Sequence, residues 1–390
     1  MNAPARLPTT KQRSLTRRGV VWLGQTCNLR CRFCYFQTRI EAKDHPEHPF
    51  MSLEKAIAIA DTLRGHYDNR AIDIQGGEPT IFPGIERLCE HCAGIGLTPT
   101  LITNGLALAN RQSCRRLVEA GVRDLLVSVH GLGDSYDDVV GVPGAHKKQM
   151  EALSNCLDVG LPVRFNCVLT RSALPQLVAV AALAAEVGAR VVNFIAFNPF
   201  EDQQTGERSR KDVPAYGEVT PPLVKALDSL ERAGIEANVR YFPLCQVPDA
   251  YRKNIYDFQQ LPYDSHEWDY ASWSWTDMKP QRMRDGGLSP LITLREANLR
   301  SPLYRAIPAE VSERFTTEEL YRENARIRAV EHCGYRYAPA CEACGARGIC
   351  DGFHGDYASF FGFGEAAPIE TPAPITDPKH YIDAQDKIVD

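Results

Sequence analysis

The chain has 390 residues, 44% of them hydrophobic and 24% charged, with a formal net charge of −5. That length exceeds one small core and asks for one large α/β domain with an appendage, or two domains, in an ordinary soluble globular composition. The charge is spread without a basic stripe, which argues against nucleic acid, and no apolar run approaches the ~20 residues that span a bilayer.

The first 18 residues hold Arg6, Lys11, Arg13, Arg17 and Arg18 and no acid, and read as a flexible, solvated basic tail rather than a targeting peptide. From residue 19 to about 235, short apolar runs alternate with amphipathic stretches. Strands are expected at 19–23, 71–75, 98–103, 123–129, 162–169 and 190–197. Helices are expected near 52–66, 83–94, 109–120, 145–158, 173–187 and 219–233. In the fifth helix Leu177, Val180, Ala184 and Val187 keep helical spacing, with Ser172 placed to cap the start and Gly188 to end it. Strands that each lead into a helix argue for a parallel sheet with right-handed crossovers. The runs read as apolar throughout, as for strands covered on both faces.

Beyond residue 235 the rhythm changes. Another strand is expected at 236–241, followed by Cys245 and an aromatic-rich stretch with Tyr263, Trp268, Tyr270, Trp273 and Trp275 that reads as an insertion anchored on the main domain. Pro368, Pro372, Pro374 and Pro378 make residues 365–390 an extended tail.

Thirteen cysteines are many, and no secretory signal precedes them, so reduced thiols used as cytoplasmic metal ligands fit better than disulfides. Cys27, Cys31 and Cys34 form a C-x3-C-x2-C loop directly after the first strand, with Phe33 before the last thiol. Three thiolates hold three irons of a cubane, and the fourth iron keeps an open position for chemistry. Gly76-Gly77-Glu78-Pro79 follows the second strand, where two glycines permit close backbone approach and a proline fixes the turn.

The cysteine loop and the Gly-Gly-Glu-Pro run together resemble the radical S-adenosylmethionine (radical SAM) superfamily. The resemblance implies a partial (β/α)6 TIM-like barrel over 19–235, with active groups at the carboxyl ends of the strands. It implies a 4Fe–4S cluster on Cys27, Cys31 and Cys34, with S-adenosylmethionine on its open iron. Reductive cleavage of that cofactor would give a 5′-deoxyadenosyl radical that abstracts hydrogen from substrate. Gly76, Gly77, Glu78 and Pro79 would hold the methionine end, and Phe33 would shield the cluster and face the adenine. By position, Asn104, Ser128 and Asn166 would contact the rest of the cofactor. His130, Arg164, Asn193 and Asn198 are further strand-end polar groups, with His130 more readily structural than catalytic. Cys89 and Cys92 fall on an amphipathic helix and, with Cys114, Cys156 and Cys167, read as buried inert thiols.

Cys341-x2-Cys344-x5-Cys350 is similar to the core of the SPASM and twitch extensions, which carry auxiliary iron–sulfur clusters. The resemblance implies a small iron–sulfur extension over 236–364 with one auxiliary cluster on Cys333, Cys341, Cys344 and Cys350. Cys245 is the main alternative to Cys333, and His354 is a lesser one. A structural zinc site would use the same thiols. The expected electron donor is a reduced flavodoxin or ferredoxin. The substrate is expected to be a small biosynthetic molecule. SPASM-type relatives also modify ribosomally made peptides, but the residues ahead of the first strand leave no room for a leader-binding domain there. A non-catalytic iron–sulfur or zinc-stabilised protein is the rival from another class.

Overall fold

The computed structural model describes residues 7–34, 41, 43, 48–65, 67–197, 211–267, 306–312 and 314–389. Trp268, Tyr270, Trp273, Trp275 and Asn198 lie outside them. Eight strands form one all-parallel sheet: β1 Arg18–Trp22, β2 Ala71–Gln75, β3 Thr98–Thr103, β4 Asp124–Ser128, β5 Val163–Leu169, β6 Val191–Ala196, β7 Glu236–Arg240 and β8 Ile255–Tyr256. Their spatial order is their chain order, with β1 and β8 at the two edges. A parallel sheet that never reverses direction places every right-handed crossover on one face, so it curls around the other. The result is an α/β partial barrel, open between its edges.

The outer layer comprises α1 Leu53–Gly65, α2 Ile85–Gly94, α3 Arg111–Glu119, α4 Gly133–Val140, α5 Ala145–Asp158, α6 Leu177–Glu186 and α7 Tyr216–Ala233. Asn110 caps α3 by accepting the Gln112 N–H. The helix α6 starts after a 3-10 turn at Leu174–Gln176, so Ser172 does not cap it; its hydroxyl bonds Thr170 Oγ1 at 3.1 Å. Gly188 does terminate the segment, with φ +65°. Among the described residues no helix is long and apolar enough to cross a membrane.

The strands are not apolar on both faces. Ile72, Ile74, Leu101, Leu125, Val127, Val163, Phe165, Val192, Phe194 and Val239 pack outward against Leu63, Leu88, Leu117, Leu153, Val180 and Leu227 of the helices. By the two-residue period, Asp73, Thr100, Asp124, Arg164, Asn166, Asn193, Glu236 and Asn238 turn into the lumen. Near the amino ends of the strands these polar groups form a buried belt. Arg18 Nη1 donates to Asp73 and Thr100 at 3.1 Å each, and Arg164 grips Asp124 through Nε and Nη2 at 3.0 and 3.1 Å. The loop carrying Asp264, His266 and Glu267 closes this end, where Arg164 Nη1 donates to the His266 carbonyl at 3.3 Å.

Neither terminus is a free tail over its described part. Thr9–Thr10 pairs antiparallel with Lys387–Ile388. Lys387 Nζ, almost fully buried, reaches Glu236 and Asp264 at the barrel floor. The main sheet also runs past residue 235 to Tyr256, so the extension grows out of the barrel without a break. Besides a single helical turn at Ala309–Ser312, its described helices are α8 Thr317–Cys333, started by a Thr316–Glu319 capping box, and α9 Gly355–Phe361.

Candidate functional site

The cysteine loop leaves β1 at the carboxyl end of the barrel and is held by backbone bonds from two sides. Gly77 N donates to the Gly24 carbonyl at 2.7 Å and Glu78 N to the Thr26 carbonyl at 2.9 Å. Arg30 N and Arg32 N donate to the carbonyls of Val140 and Val139 at the end of α4, at 2.9 and 3.0 Å. A Cβ at Gly77 would overlap the Thr26 carbonyl, and one at Gly76 would stand 2.8 Å from the Gly24 oxygen. The two glycines therefore let the strand-two loop close onto the segment that presents Cys27. Leu29, Leu106, Tyr136, Val139 and Val140 pack beneath Cys27, Cys31 and Phe33.

Glu78 is buried, and both carboxylate oxygens are engaged. Oε1 accepts from Thr80 N at 3.0 Å, from the Thr80 hydroxyl and from Thr103 Oγ1 at 2.5 Å; Oε2 accepts from Asn104 N at 2.8 Å. Burial raises its pKa against these bonds. Its visible role is to brace the Pro79 turn and the end of β3. Asn104, thus fixed, donates from Nδ2 to Asn28 Oδ1 at 2.7 Å and lies 3.9 Å from Cys27 Sγ. Leu29 N also points at that sulfur, at 3.4 Å.

Burial, then the charge of Glu78, pushes the Cys27 thiol up to about 12, and burial with its two sister thiols pushes Cys31 well above its usual value. Free thiols at such a site stay protonated; a bound cation reverses that preference by deprotonating its thiol ligands. Among the described residues no three His, Cys, Asp or Glu side chains are close enough to share a single ion. A cubane sets its ligand sulfurs wider apart than one zinc does, and the half-buried Cys27, Cys31 and Cys34 share one loop.

Phe33 meets His130 edge to face at a ring separation of 4.5 Å and Phe197 at 6.3 Å. His130 accepts the Val168 N–H on Nδ1 at 3.2 Å, and burial lowers its pKa to about 3, so it supports Phe33 as a neutral ring. Ser128 ends β4 opposite Asn166 of β5. Polar atoms of Gln25, Gln75, Asn166 and Asn193 are buried without a protein partner. Orphaned amides at strand ends fit a lumen that takes a polar ligand such as S-adenosylmethionine. Gln149, which the sequence reading passed over, donates to the carbonyls of Asn104 and Ser128 and to Tyr136 at 2.8–3.0 Å. Its signal was available: a glutamine on the apolar stripe Ala145, Ala152, Leu153 and Cys156 of α5.

A second cysteine group lines one cavity in the extension. Cys245, Cys341, Cys344 and Cys350 face it, with Tyr337 and Arg347 beside them. Cys333 does not: it ends α8, where Gly334 turns the chain, and packs among Tyr256, Phe258, Tyr335 and Ile382. His354 is also removed, its Nδ1 capping α9 by accepting the Asp356 N–H at 3.2 Å. Three of the four cavity sulfurs accept an N–H: Cys245 from Gln246 Nε2 at 3.3 Å, Cys344 from Ile369 N at 3.3 Å and Cys350 from Gly352 N at 3.4 Å. Burial nevertheless pushes the Cys350 thiol well above its usual value, so here too a bound cation is what would deprotonate it. Cys89, Cys92, Cys114, Cys156 and Cys167 are buried in the helix–sheet core.

Residues 23–177 match the Radical SAM superfamily. The chain is 30% identical over 191 residues to an AdoMet-dependent heme synthase of Oleidesulfovibrio alaskensis, covering 48% of this chain and 47% of that protein. It is 29% identical over 168 residues to an Fe-coproporphyrin III synthase of Methanosarcina barkeri, covering 43% and 41%. It is 29% identical over 213 residues to a mitochondrial GTP 3′,8-cyclase of Arabidopsis thaliana, covering 54% and 53%. The chain thus spans about half the length of the curated relatives it matches.

Proposed function

We propose that this chain, whose residues 23–177 carry a radical SAM domain, is a radical SAM enzyme acting on a small biosynthetic molecule, with an auxiliary iron–sulfur centre in its extension. When bound, the cluster and S-adenosylmethionine supply a 5′-deoxyadenosyl radical for hydrogen abstraction. The protein's part is to hold, orient and exclude water. Cys27, Cys31 and Cys34 would ligate the cluster. Gly76 and Gly77 let backbone approach the methionine end, and Pro79 fixes that turn. Glu78 keeps Asn104 beside the cysteine loop, while Ser128, Asn166 and the unpartnered amides of Gln25 and Gln75 offer polar contacts. Phe33, backed by His130, screens the cluster side.

The observation that carries this reading is the clasp between the Gly-Gly-Glu loop and the backbone ahead of Cys27, because it puts a three-thiol loop and a glycine cradle at one mouth of the barrel. The names of the three relatives above denote small molecules as products or substrates, which supports the substrate class, whereas a PqqA peptide cyclase of Bradyrhizobium diazoefficiens, 27% identical over 154 residues, is named for a peptide. A reduced flavodoxin or ferredoxin is the proposed cytoplasmic electron donor.

Anaerobically reconstituted protein given dithionite and S-adenosylmethionine is expected to form 5′-deoxyadenosine, with or without added substrate. Turnover that appears only with a short precursor peptide would replace the small-molecule reading with a peptide one. Within the extension, Cys245, Cys341, Cys344 and Cys350 are the proposed ligands in place of the Cys333 set. Cys245→Ala is expected to lose the second centre's iron and sulfide, and Cys333→Ala to keep it. The reverse pattern in metal analysis would return Cys333 to the ligand set.

A further inference from the structure

We propose that the C-terminal segment from Glu365 to Ile375 is a built-in cap that retains metal at the second cysteine centre. The proposal rests on the reading that Cys245, Cys341, Cys344 and Cys350 bind a metal cluster. It assigns a function to a stretch that sequence composition marks only as a proline-rich tail.

The segment clasps the Cys344–Gly345 turn through both Ile369 and Ile375. Ile369 N donates to Cys344 Sγ at 3.3 Å, Gly345 N donates back to the Ile369 carbonyl at 2.8 Å, and Ile375 N donates to the Gly345 carbonyl at 2.8 Å. Ala367 and Ile369 form part of the cavity wall, and Ile369 is 6% exposed. The fit is tight enough to require glycine. A Cβ at Gly345 would overlap the Thr371 side chain, and one at Gly348 would stand 2.6 Å from the Ile375 carbonyl.

The cap also reaches a second thiol. The Glu365 carbonyl accepts from Gln246 Nε2 at 2.6 Å, and the same amide nitrogen donates to Cys245 Sγ at 3.3 Å. Glu365 is anchored in turn: Gly217 N donates to its Oε1 at 2.8 Å, and Tyr357 donates its hydroxyl proton to Oε2. One cavity sulfur thus takes its N–H directly from this segment, and a second takes it from Gln246, whose amide the segment holds in place. Pro368, Pro372 and Pro374 limit the freedom the segment would regain on detaching, which favours the docked form. Hydrogen bonds around ligand atoms typically govern metal retention as strongly as the geometry of the ligands does.

The test uses the full chain with Cys27, Cys31 and Cys34 replaced by alanine, so that all bound iron belongs to the second centre. Into it are placed Ile369→Pro, which deletes the N–H that Cys344 accepts, and separately Gly345→Ala, which pushes the segment off. The rate of iron release to a colorimetric chelator is then followed at fixed temperature. Both variants are expected to release iron ~10-fold faster than their parent. Adding Thr371→Gly to Gly345→Ala removes the clash and is expected to restore the parent rate, which a general loss of fold would not allow. Release within about two-fold of the parent in Ile369→Pro and in Gly345→Ala overturns the cap. A parent that binds no metal overturns the reading of the second centre as well, and is recognised before any cap variant is measured.

Discussion

Replacing Cys27, Cys31 and Cys34 together by alanine is expected to abolish 5′-deoxyadenosine formation while the iron bound at Cys245, Cys341, Cys344 and Cys350 remains. The two thiol groups stand on separate supports. The first hangs from β1 and is stitched to the strand-two loop and the end of α4. The second is framed by the turns around Cys341–Cys350 and by the C-terminal segment. Leu29, Tyr136 and Val140 beside the three thiols are almost fully buried while the thiols are only partly so, and packing at this mouth rests on those side chains more than on the sulfurs. The variant should therefore fold, with its losses confined to chemistry. Iron and sulfide content and Mössbauer spectra of both proteins, read beside the cleavage assay, make the comparison. Cleavage that survives the substitution would end the enzyme reading. Loss of all metal from both centres would show that they are not independent. A purely electron-transferring protein predicts tight metal and no affinity for S-adenosylmethionine in the parent itself.

The outer half of the barrel was legible because it obeys local rules. Strand edges at 71–75 and 98–103 and the helix at 145–158 fall where apolar periodicity puts them. The inner half was not, because its order depends on partners distant in sequence. Arg164 and Asn166 sit on one face of β5, yet one is spent on Asp124 and the other keeps a free buried oxygen. Composition marks both simply as polar. Glu78 shows the same limit: its motif suggests a ligand contact, but not the bonds that Thr80, Thr103 and Asn104 also make to its carboxylate. Proximity in sequence groups Cys333 with Cys341, whereas the helix end packs it in another cluster and Cys245, past the end of β7, lines the cavity. The terminal segments read as tails because proline and charge usually mark solvated chain. Here a buried lysine and a pair of two-residue strands tie both ends to the barrel floor.

Arg164→Leu should be the most damaging single change outside the cysteines. Its guanidinium is fully buried, grips Asp124 with two bonds, lies 3.9 Å from Asp73 and donates to the loop that closes the barrel. A leucine matches much of the volume but leaves the two buried carboxylates to Arg18, whose Nη1 already serves Asp73 and Thr100, and to the Thr100 hydroxyl, which donates to Asp124 at 2.8 Å. Removing one partner from a buried charge pair typically costs ~3–5 kcal/mol, a large part of a domain's net stability. Urea midpoints at neutral pH would show it. The pH dependence gives an independent check. Burial alone would raise Asp124, but Arg164 and Arg18 hold its pKa well below the carboxylate range. A carboxyl depressed in the folded state contributes stability above its unfolded pKa and loses it as pH falls toward the folded value. The parent should therefore lose stability progressively on acidification below the ordinary aspartate range. Asp73 works in the other direction, since burial outweighs Arg18 and Arg164 and leaves its pKa raised. In Arg164→Leu both carboxyls should favour the protonated form, so acidification should narrow the gap between variant and parent. A gap that stays constant from neutral to acid pH would mean that the belt is held by shape rather than by charge.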